Sequence, residues 1–452
     1  MSLRAAVILA AGQGTRMRSA VPKVLHKVAG KAMLDWSISL AESVGCEDIF
    51  VVCSPSGAAV QEYVTERLGA QAVIIQEPAL GTGHAVRCAA PALAQYSGDV
   101  VVLYGDTPLI PPSAVEDLFG QLADGAAVGV LGFDAERPGA YGRLVTDDTG
   151  ALEAIVEAKE ATEQELAITL CNSGVMAAPT SQMFSLLENV TNENAKQEYY
   201  LTDIVGLARK AGLQCAAVKC AEDEVLGVNS RLELAAAEAV FQAKRRQELL
   251  LSGVTMTAPE TVFLSHDTQI APDVEIEPHV VFGPGVEVQP GARIRAFSHL
   301  EGAKIGPGCE VGPYARLRPG AVLESKVKIG NFVEVKNTTL HRAAKANHLA
   351  YLGDGEVGAE ANIGAGTIFC NYDGFLKHKT KVGARAFIGS NSALVAPVEI
   401  GDGAIIGSGS VITKSVASNS LAVGRARQIE RSDWATSFRD RMSAIKAARA
   451  KN

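Results

Sequence analysis

From residue 270 onward, apolar side chains recur at every sixth position. The series opens with Ile270, Ile276, Phe282, Val288, Ile294 and Leu300. After one shortened step it runs through Ile305, Val311, Leu317, Leu323, Ile329 and Val335, and later through Val357, Ile363 and Phe369. It is cleanest at Val382, Ile388, Leu394, Ile400, Ile406 and Ile412. Such a period matches neither a helix nor an alternating strand. It predicts a parallel β-helix, in which each apolar residue points into a narrow core and each coil bonds to the coils above and below. Ordinary strands joined by glycine turns would not hold one register for so long. The register breaks twice, between Val335 and Val357 and between Phe369 and Val382. Each break predicts a loop leaving the coil, where solenoids commonly bind ligands. His341, Lys345, Asn347, His348 and Tyr351 fall in the first break. Asn371, Tyr372, Asp373, Lys377, His378 and Lys379 fall in the second.

With 452 residues the chain is too long for one ordinary core, so a second domain must precede the repeats. It alternates short apolar strands (5–9, 49–53, 72–75, 100–103) with helical stretches such as 33–44. That alternation predicts a parallel α/β sheet. A long helix without Gly or Pro follows over 229–251. The expected division is 1–228 for the front domain, 229–250 for a linker helix, and 251–452 for the β-helix with a basic, helical tail.

A net charge of -8 gives no sign of a nucleic-acid partner. No apolar run reaches membrane-span length, and 5–9 is too short for a signal-peptide core. The eight cysteines form no CxxC pair and no zinc spacing, and read as reduced thiols of a cytoplasmic protein.

Two front motifs carry chemistry. Leu9-Ala10-Ala11-Gly12-Gln13-Gly14-Thr15-Arg16 follows the first strand, with Pro22-Lys23 soon after. Its glycines let backbone N–H groups face an anion, and Arg16 and Lys23 suit the charge of a triphosphate in transfer. It is neither a Walker loop nor a full dinucleotide fingerprint. A lone GxG turn would fit a plain strand-to-helix connection equally well. The second motif, Leu103-Tyr104-Gly105-Asp106, sets an Asp at the carboxyl end of an apolar strand, where open α/β sheets bind ligands. Asp106 is either a turn residue before Pro108 or an oxygen ligand for magnesium.

The whole chain resembles the bifunctional bacterial N-acetylglucosamine-1-phosphate uridylyltransferase / glucosamine-1-phosphate acetyltransferase family. LAAGQGTRM, PKVLH, QEPALGTGHA, LYGDTPL, YGR, GVNSR, ARLRPG, NFVEVKN, NHLAYLGD, NIGAGTIFCNYDG and FIGSNSALVAPV occur in that family's order. The resemblance implies a Rossmann-like nucleotidyltransferase domain ahead of a left-handed β-helix. It implies nucleotide contacts at Leu9, Ala10, Gly12, Gln76, Gly81 and Thr82, and sugar-phosphate contacts at Tyr104, Gly142, Glu157, Asn172 and Asn229. Asp106 and Asn229 would hold magnesium. In the β-helix, His348 would be the general base, with Arg318, Lys336, Tyr351 and Asn362 on the sugar phosphate. Acetyl-CoA would meet Ala365, Asn371, Tyr372, Ser390, Ser408 and Arg425. The family often has Ala where this chain has Ser408. Without the resemblance, Glu157 reads as a solvated charge, Asn172 as a turn residue, Asn229 as a helix cap and His348 as polar surface. Implied partners are UTP, N-acetylglucosamine 1-phosphate, glucosamine 1-phosphate and acetyl-CoA, and the implied assembly is a homotrimer. The competing reading is a sugar nucleotidyltransferase whose β-helix serves only regulation or assembly.

Overall fold

The structure is a computed structural model and describes residues 2–194 and 196–450. It divides into two compact units. One comprises the residues up to Leu251 together with Phe263–Asp267; the other comprises Ser252–Val262 and the residues from Thr268 onward.

In the front unit a mixed sheet runs in the order Cys215–Cys220, Val128–Asp134, Leu170–Pro179, Asp99–Tyr104, Arg4–Leu9, Asp48–Cys53, Val73–Ile75. Ala5, Val7, Val100 and Val102 bury one face and Ala6, Ile8, Val101 and Leu103 the other. A strand covered on both faces needs such a continuous apolar run. The strands Arg4–Leu9, Asp48–Cys53 and Asp99–Tyr104 pair in parallel, as the alternation predicts. Leu170–Pro179 instead runs antiparallel to both of its neighbours. The chain leaves Val128–Asp134 at one end of the sheet and spends the Arg143–Thr146 / Leu152–Val156 hairpin there. It then re-enters from that same end, which forces the reversal.

The long helix spans Arg231–Leu251 and packs within the front unit. Its Ala237 is fully buried beside Val28, Ala29, Met33 and Val228. Gln242 hydrogen-bonds both backbone groups of Leu264, which fastens the 263–267 segment to the helix.

In the second unit the six-residue period becomes three stacked columns. Ile276, Ile294, Val311, Ile329, Ala346, Ile363, Ile388 and Ile406 form one, with every strand parallel to the next. Val288, Ile305, Leu323, Leu340 and Val357 continue a second, and Leu300, Leu317, Val335 and Leu352 a third. All of these side chains are buried. The first register break is therefore not a looped-out segment. Leu340, Ala346 and Leu352 carry the core through it, and His348 lies on a coil strand, Lys345–His348. Alanine replaces a larger residue at one inward position and the steps into Leu340 and Val357 are short, so the spacing alone concealed the coil. The second break is a loop, pinned by a bridge between Tyr372 and Lys377.

Every coil turns at left-handed corners. At one corner His279, Phe297, Tyr314 and Phe332 all have positive φ, and their rings stack at 4.9–5.2 Å. The chain ends in an exposed helix, Trp434–Arg449.

Candidate active sites

The front site lies at the carboxyl ends of the parallel strands. Backbone bonds hold three strand exits side by side: Ala10 N–H to Val52, Gln76 N–H to Cys53 and Gly105 N–H to Leu9. A cavity of about 870 Å³ opens there. Its lining includes Leu9, Ala10, Gly12, Lys23, Gln76, Gly81, Thr82, Tyr104, Asp106, Glu157 and Asn172, which were expected from the sequence.

The glycine loop shapes the cavity floor. Gly14 has φ +61°, and a Cβ there would come within 2.5 Å of the Lys23 Cβ. Its bare backbone lets Lys23 run under the loop, and the Lys23 ammonium reaches Asp106 Oδ2 and, at 3.0 Å, Asn229 Oδ1. The Val228 N–H donates to the Asp106 carbonyl at 2.9 Å, so the two oxygen donors are held together by backbone although far apart in sequence. Two side-chain oxygens thus converge on one cation. Among the described residues no group of three or more His, Cys, Asp and Glu is placed to hold a metal ion. One or two protein oxygens, with the rest from phosphate and water, is the donor set magnesium takes, so Asp106 and Asn229 fit it.

The segments flanking the hairpin build another part of the cavity wall. Asn172 N–H donates to the Gly142 carbonyl at 2.8 Å, and the space above Gly142 faces Asn172 and Glu157. A bulge after Asn172 brings Gly174 against the Tyr104 ring, which a Cβ would meet at 2.8 Å. Burial, and then the charge of Glu160, push the Glu157 carboxyl above its ordinary range, with Lys196 opposing them. Burial, then Asp106 and Glu157, push the Tyr104 phenol up.

Arg16 stands apart. It is exposed on the short turn Thr15–Met17 and is not among the residues lining the cavity. Conversely, Lys159, Glu160, Lys196, Glu198, Tyr200 and Thr202 line it without having been expected. Tyr199, one residue from this group, locks onto the Gly81 turn through paired backbone bonds with Leu80 and Gly83. Nothing in a lone sequence marks that long-range contact.

In the β-helix, His348 is exposed and its Nδ1 lies 2.8 Å from Asn331 Oδ1 on the coil below. Asn331 opens the NFVEVKN motif, but its spacing of one coil from His348 had gone unread. The same corner continues upward. Gly366 N–H bonds the His348 carbonyl, Asn391 N–H that of Ala365, and Gly409 N–H that of Ser390. His348, Ala365, Ser390 and Ser408 therefore occupy one corner on successive coils. Arg425 follows, with its Cδ beside the Gly409 backbone.

Arg318, Lys336 and Tyr351 gather on a different face. Leu317 pairs with Val335 and Lys336 with Gly353 in register, and Tyr351 folds its phenol over Gly353. Asn371 is buried and joins them, whereas Tyr372 is exposed on the loop. Asn362 is elsewhere, in register with Lys345 and Phe387 on another sheet. The concave surface lined by Glu324, His341, Glu356, Lys381 and Asp402 holds none of the expected acetyl-transfer residues.

Comparison with known proteins agrees with both halves. The MobA-like NTP transferase domain family matches residues 6–187, and the bacterial transferase hexapeptide family matches 379–414. The bifunctional protein GlmU of Hyphomonas neptunium is 63% identical over 99% of this chain and 97% of that protein. Its counterparts from Caulobacter vibrioides and Maricaulis maris are 57% and 55% identical, each over 98% of this chain and 96% or more of their own length. The chain belongs to the GlmU family. As a GlmU-family protein it is a nucleotidyltransferase and an acyltransferase in one polypeptide, joining uridylyl transfer to acetyl transfer. The alternative of a β-helix kept only for assembly falls with that membership.

Proposed function

We propose that the chain makes UDP-N-acetylglucosamine in two steps. The β-helix acetylates glucosamine 1-phosphate with acetyl-CoA, and the front unit joins the product to UTP with release of pyrophosphate. The expected division of labour is 1–228 and 251–452, with 229–250 joining them.

The observation that carries the front reading is the convergence of Asp106 and Asn229 on the Lys23 ammonium beside the glycine loop. A phosphate oxygen of N-acetylglucosamine 1-phosphate attacks the α-phosphorus of UTP, and the bond to the β-phosphate breaks. No protein nucleophile is required; the residues position and neutralise. Leu9, Ala10, Gly12, Gln76, Gly81 and Thr82 would hold the nucleotide, while Tyr104, Gly142, Glu157 and Asn172 would hold the sugar. Lys23 spreads positive charge onto the phosphates. Arg16, exposed on its turn, would reach them only by swinging inward. Magnesium, held by Asp106 and Asn229, would supply further charge neutralisation at the phosphates.

In the β-helix the amine of glucosamine 1-phosphate attacks the thioester carbonyl. Its proton passes to His348 Nε2, and the CoA thiolate leaves. Asn331 supports this assignment, because an Nδ1–H donated to its oxygen leaves Nε2 as the basic nitrogen. The corner column up to Arg425 would take acetyl-CoA. Asn362 lies on another sheet from Lys336 and Tyr351, so a site using all three would draw them from different copies. A homotrimer supplies those copies and would cover the exposed ring stack of Phe297, Tyr314 and Phe332. All eight cysteines are free, which suits a reducing cytoplasm.

The test separates the two sites. Asp106→Ala should abolish pyrophosphate release from UTP and spare thiol release from acetyl-CoA; His348→Ala should do the reverse. Loss of both activities in either folded variant would sink the assignment.

A further inference from the structure

Another corner of the coil carries a second ladder, whose central residue, Asp354, is not among the expected site residues. Asn337, Asp354 and Asn371 stand one above another on three successive coils. The Asn337 amide donates to Asp354 Oδ1 at 2.7 Å, and the Asn371 amide donates to Asp354 Oδ2 at 2.5 Å. Asp354 has φ +51° and is only 6% exposed. A carboxylate in a strained backbone conformation and out of water is costly unless its surroundings hold it there. Both flanking residues are glycine. A Cβ on Gly353 would strike the Tyr351 hydroxyl at 2.4 Å, and one on Gly355 would strike the Phe369 ring at 2.9 Å.

The charge of this carboxylate has two cationic neighbours. Lys336 Nζ lies 3.8 Å from Asp354 Oδ2. Lys377, from the loop of the second register break, brings its ammonium against that of Lys336, and contact with that cation holds its pKa down. Burial would push the Asp354 carboxyl up, but the two amides and the two lysines outweigh burial and hold it below its ordinary range. Other ionisable groups on this face are Tyr351 of the same strand and the Arg318–Glu334 pair one coil below, at 2.8 Å. On the loop side stands the Asp373–His378 pair, at 2.7 Å.

We propose that Asp354 is a positioning residue for acetyl transfer: its buried carboxylate fixes Asn371 and keeps Lys336 and Lys377 together as a doubly charged seat for the sugar phosphate. The proposal rests on the acetyl-transfer reading above. One anion beside two neighbouring ammonium groups leaves a single net positive charge and lets both lysines stay protonated. A phosphate dianion arriving beside them then meets a pair of ordered cations. Without Asp354 the ammoniums repel, and one sheds its proton at lower pH.

The test measures thiol release against glucosamine 1-phosphate concentration across pH in full-length Asp354→Asn, Lys377→Met and the double variant. In Asp354→Asn the rise of KM on the alkaline side should begin roughly one pH unit lower, giving about a tenfold higher KM there. Its kcat should hold within about threefold, and pyrophosphate release by the front unit should not change. In Lys377→Met the alkaline rise should begin at higher pH, because Asp354 then serves Lys336 alone. The double variant should return towards the parent profile. An unshifted profile in Asp354→Asn overturns the proposal, as does a fall in kcat at constant KM. If that variant does not fold, an unshifted profile in Lys377→Met overturns it equally. Absence of sugar-phosphate-dependent thiol release in the parent protein would instead overturn the acetyl-transfer reading, and the role of Asp354 with it.

Discussion

His348 Nδ1 sits 2.8 Å from Asn331 Oδ1, one full coil away in sequence and directly adjacent in the stack. An amide oxygen accepts and never donates, so the ring must present N–H on that side. Replacing Asn331 by Ala removes the partner that sets the tautomer. Acetyl transfer should fall in kcat by about tenfold or more, with KM for both substrates nearly kept. A variant that loses KM and keeps kcat would show that Asn331 holds substrate rather than the base.

Lys23 reaches the same two oxygens that are proposed to hold a divalent cation. Lys23→Ala should cut uridylyl transfer by about a hundredfold or more, since one fixed cation at the phosphates is lost. The magnesium concentration at half-maximal rate should not rise, because an ammonium no longer competes for Asp106 and Asn229. A large rise would mean that Lys23 helps to organise the metal position.

Gly14 reports on the same lysine from the other side. An added methyl group meets the Lys23 side chain and the backbone is left-handed there. Gly14→Ala should therefore resemble Lys23→Ala in activity and cost about 1–3 kcal/mol of front-unit stability. Thermal unfolding and pyrophosphate release measured on one preparation check both.

His341 joins three coils, with Nδ1 at 2.9 Å from Glu324 and Nε2 at 2.6 Å from Glu356. Two carboxylates on the two ring nitrogens call for an imidazolium. Glu356, then Glu324, raise its pKa above the ordinary 6.5, while the His341 contact lowers that of Glu324 below 4.5. The histidine contribution to stability is complete below pH 6.5 and fades as pH climbs through the raised value. The Glu324 contribution is complete above pH 4.5 and fades as pH falls through the lowered value. These groups are partly exposed, so the total is no more than about 1 kcal/mol. His341→Gln should flatten the fall of β-helix stability on the alkaline side, as followed by denaturant unfolding between about pH 6 and 8.5.

The sequence showed different parts of this molecule to different depths. Period six predicted the β-helix because a solenoid core is local: each inward residue lies a fixed step from the last. The same rule misread the stretch around His348, where Ala346 fills a core position too modestly to register and two steps are short. The glycine loop over Lys23 was legible because glycine and lysine carry their physical reason with them. The antiparallel strand Leu170–Pro179 was not, since direction depends on where an intervening hairpin leaves the chain. Neither was the Asp354 ladder, because Asn337, Asp354 and Asn371 become neighbours only when coils stack.

The corner that begins at Asn331 and His348 and runs on past Ser408 acts as a ruler. Its graduations are the hydrogen-bonded separations of neighbouring strands, about 4.8 Å each. From His348 through Ala365, Ser390 and Ser408 to Arg425 there are four such steps, so the reach of an extended ligand along it is roughly 19 Å. Backbone sets that length, and no side-chain substitution can alter it. Only gaining or losing a whole coil changes what this edge can measure.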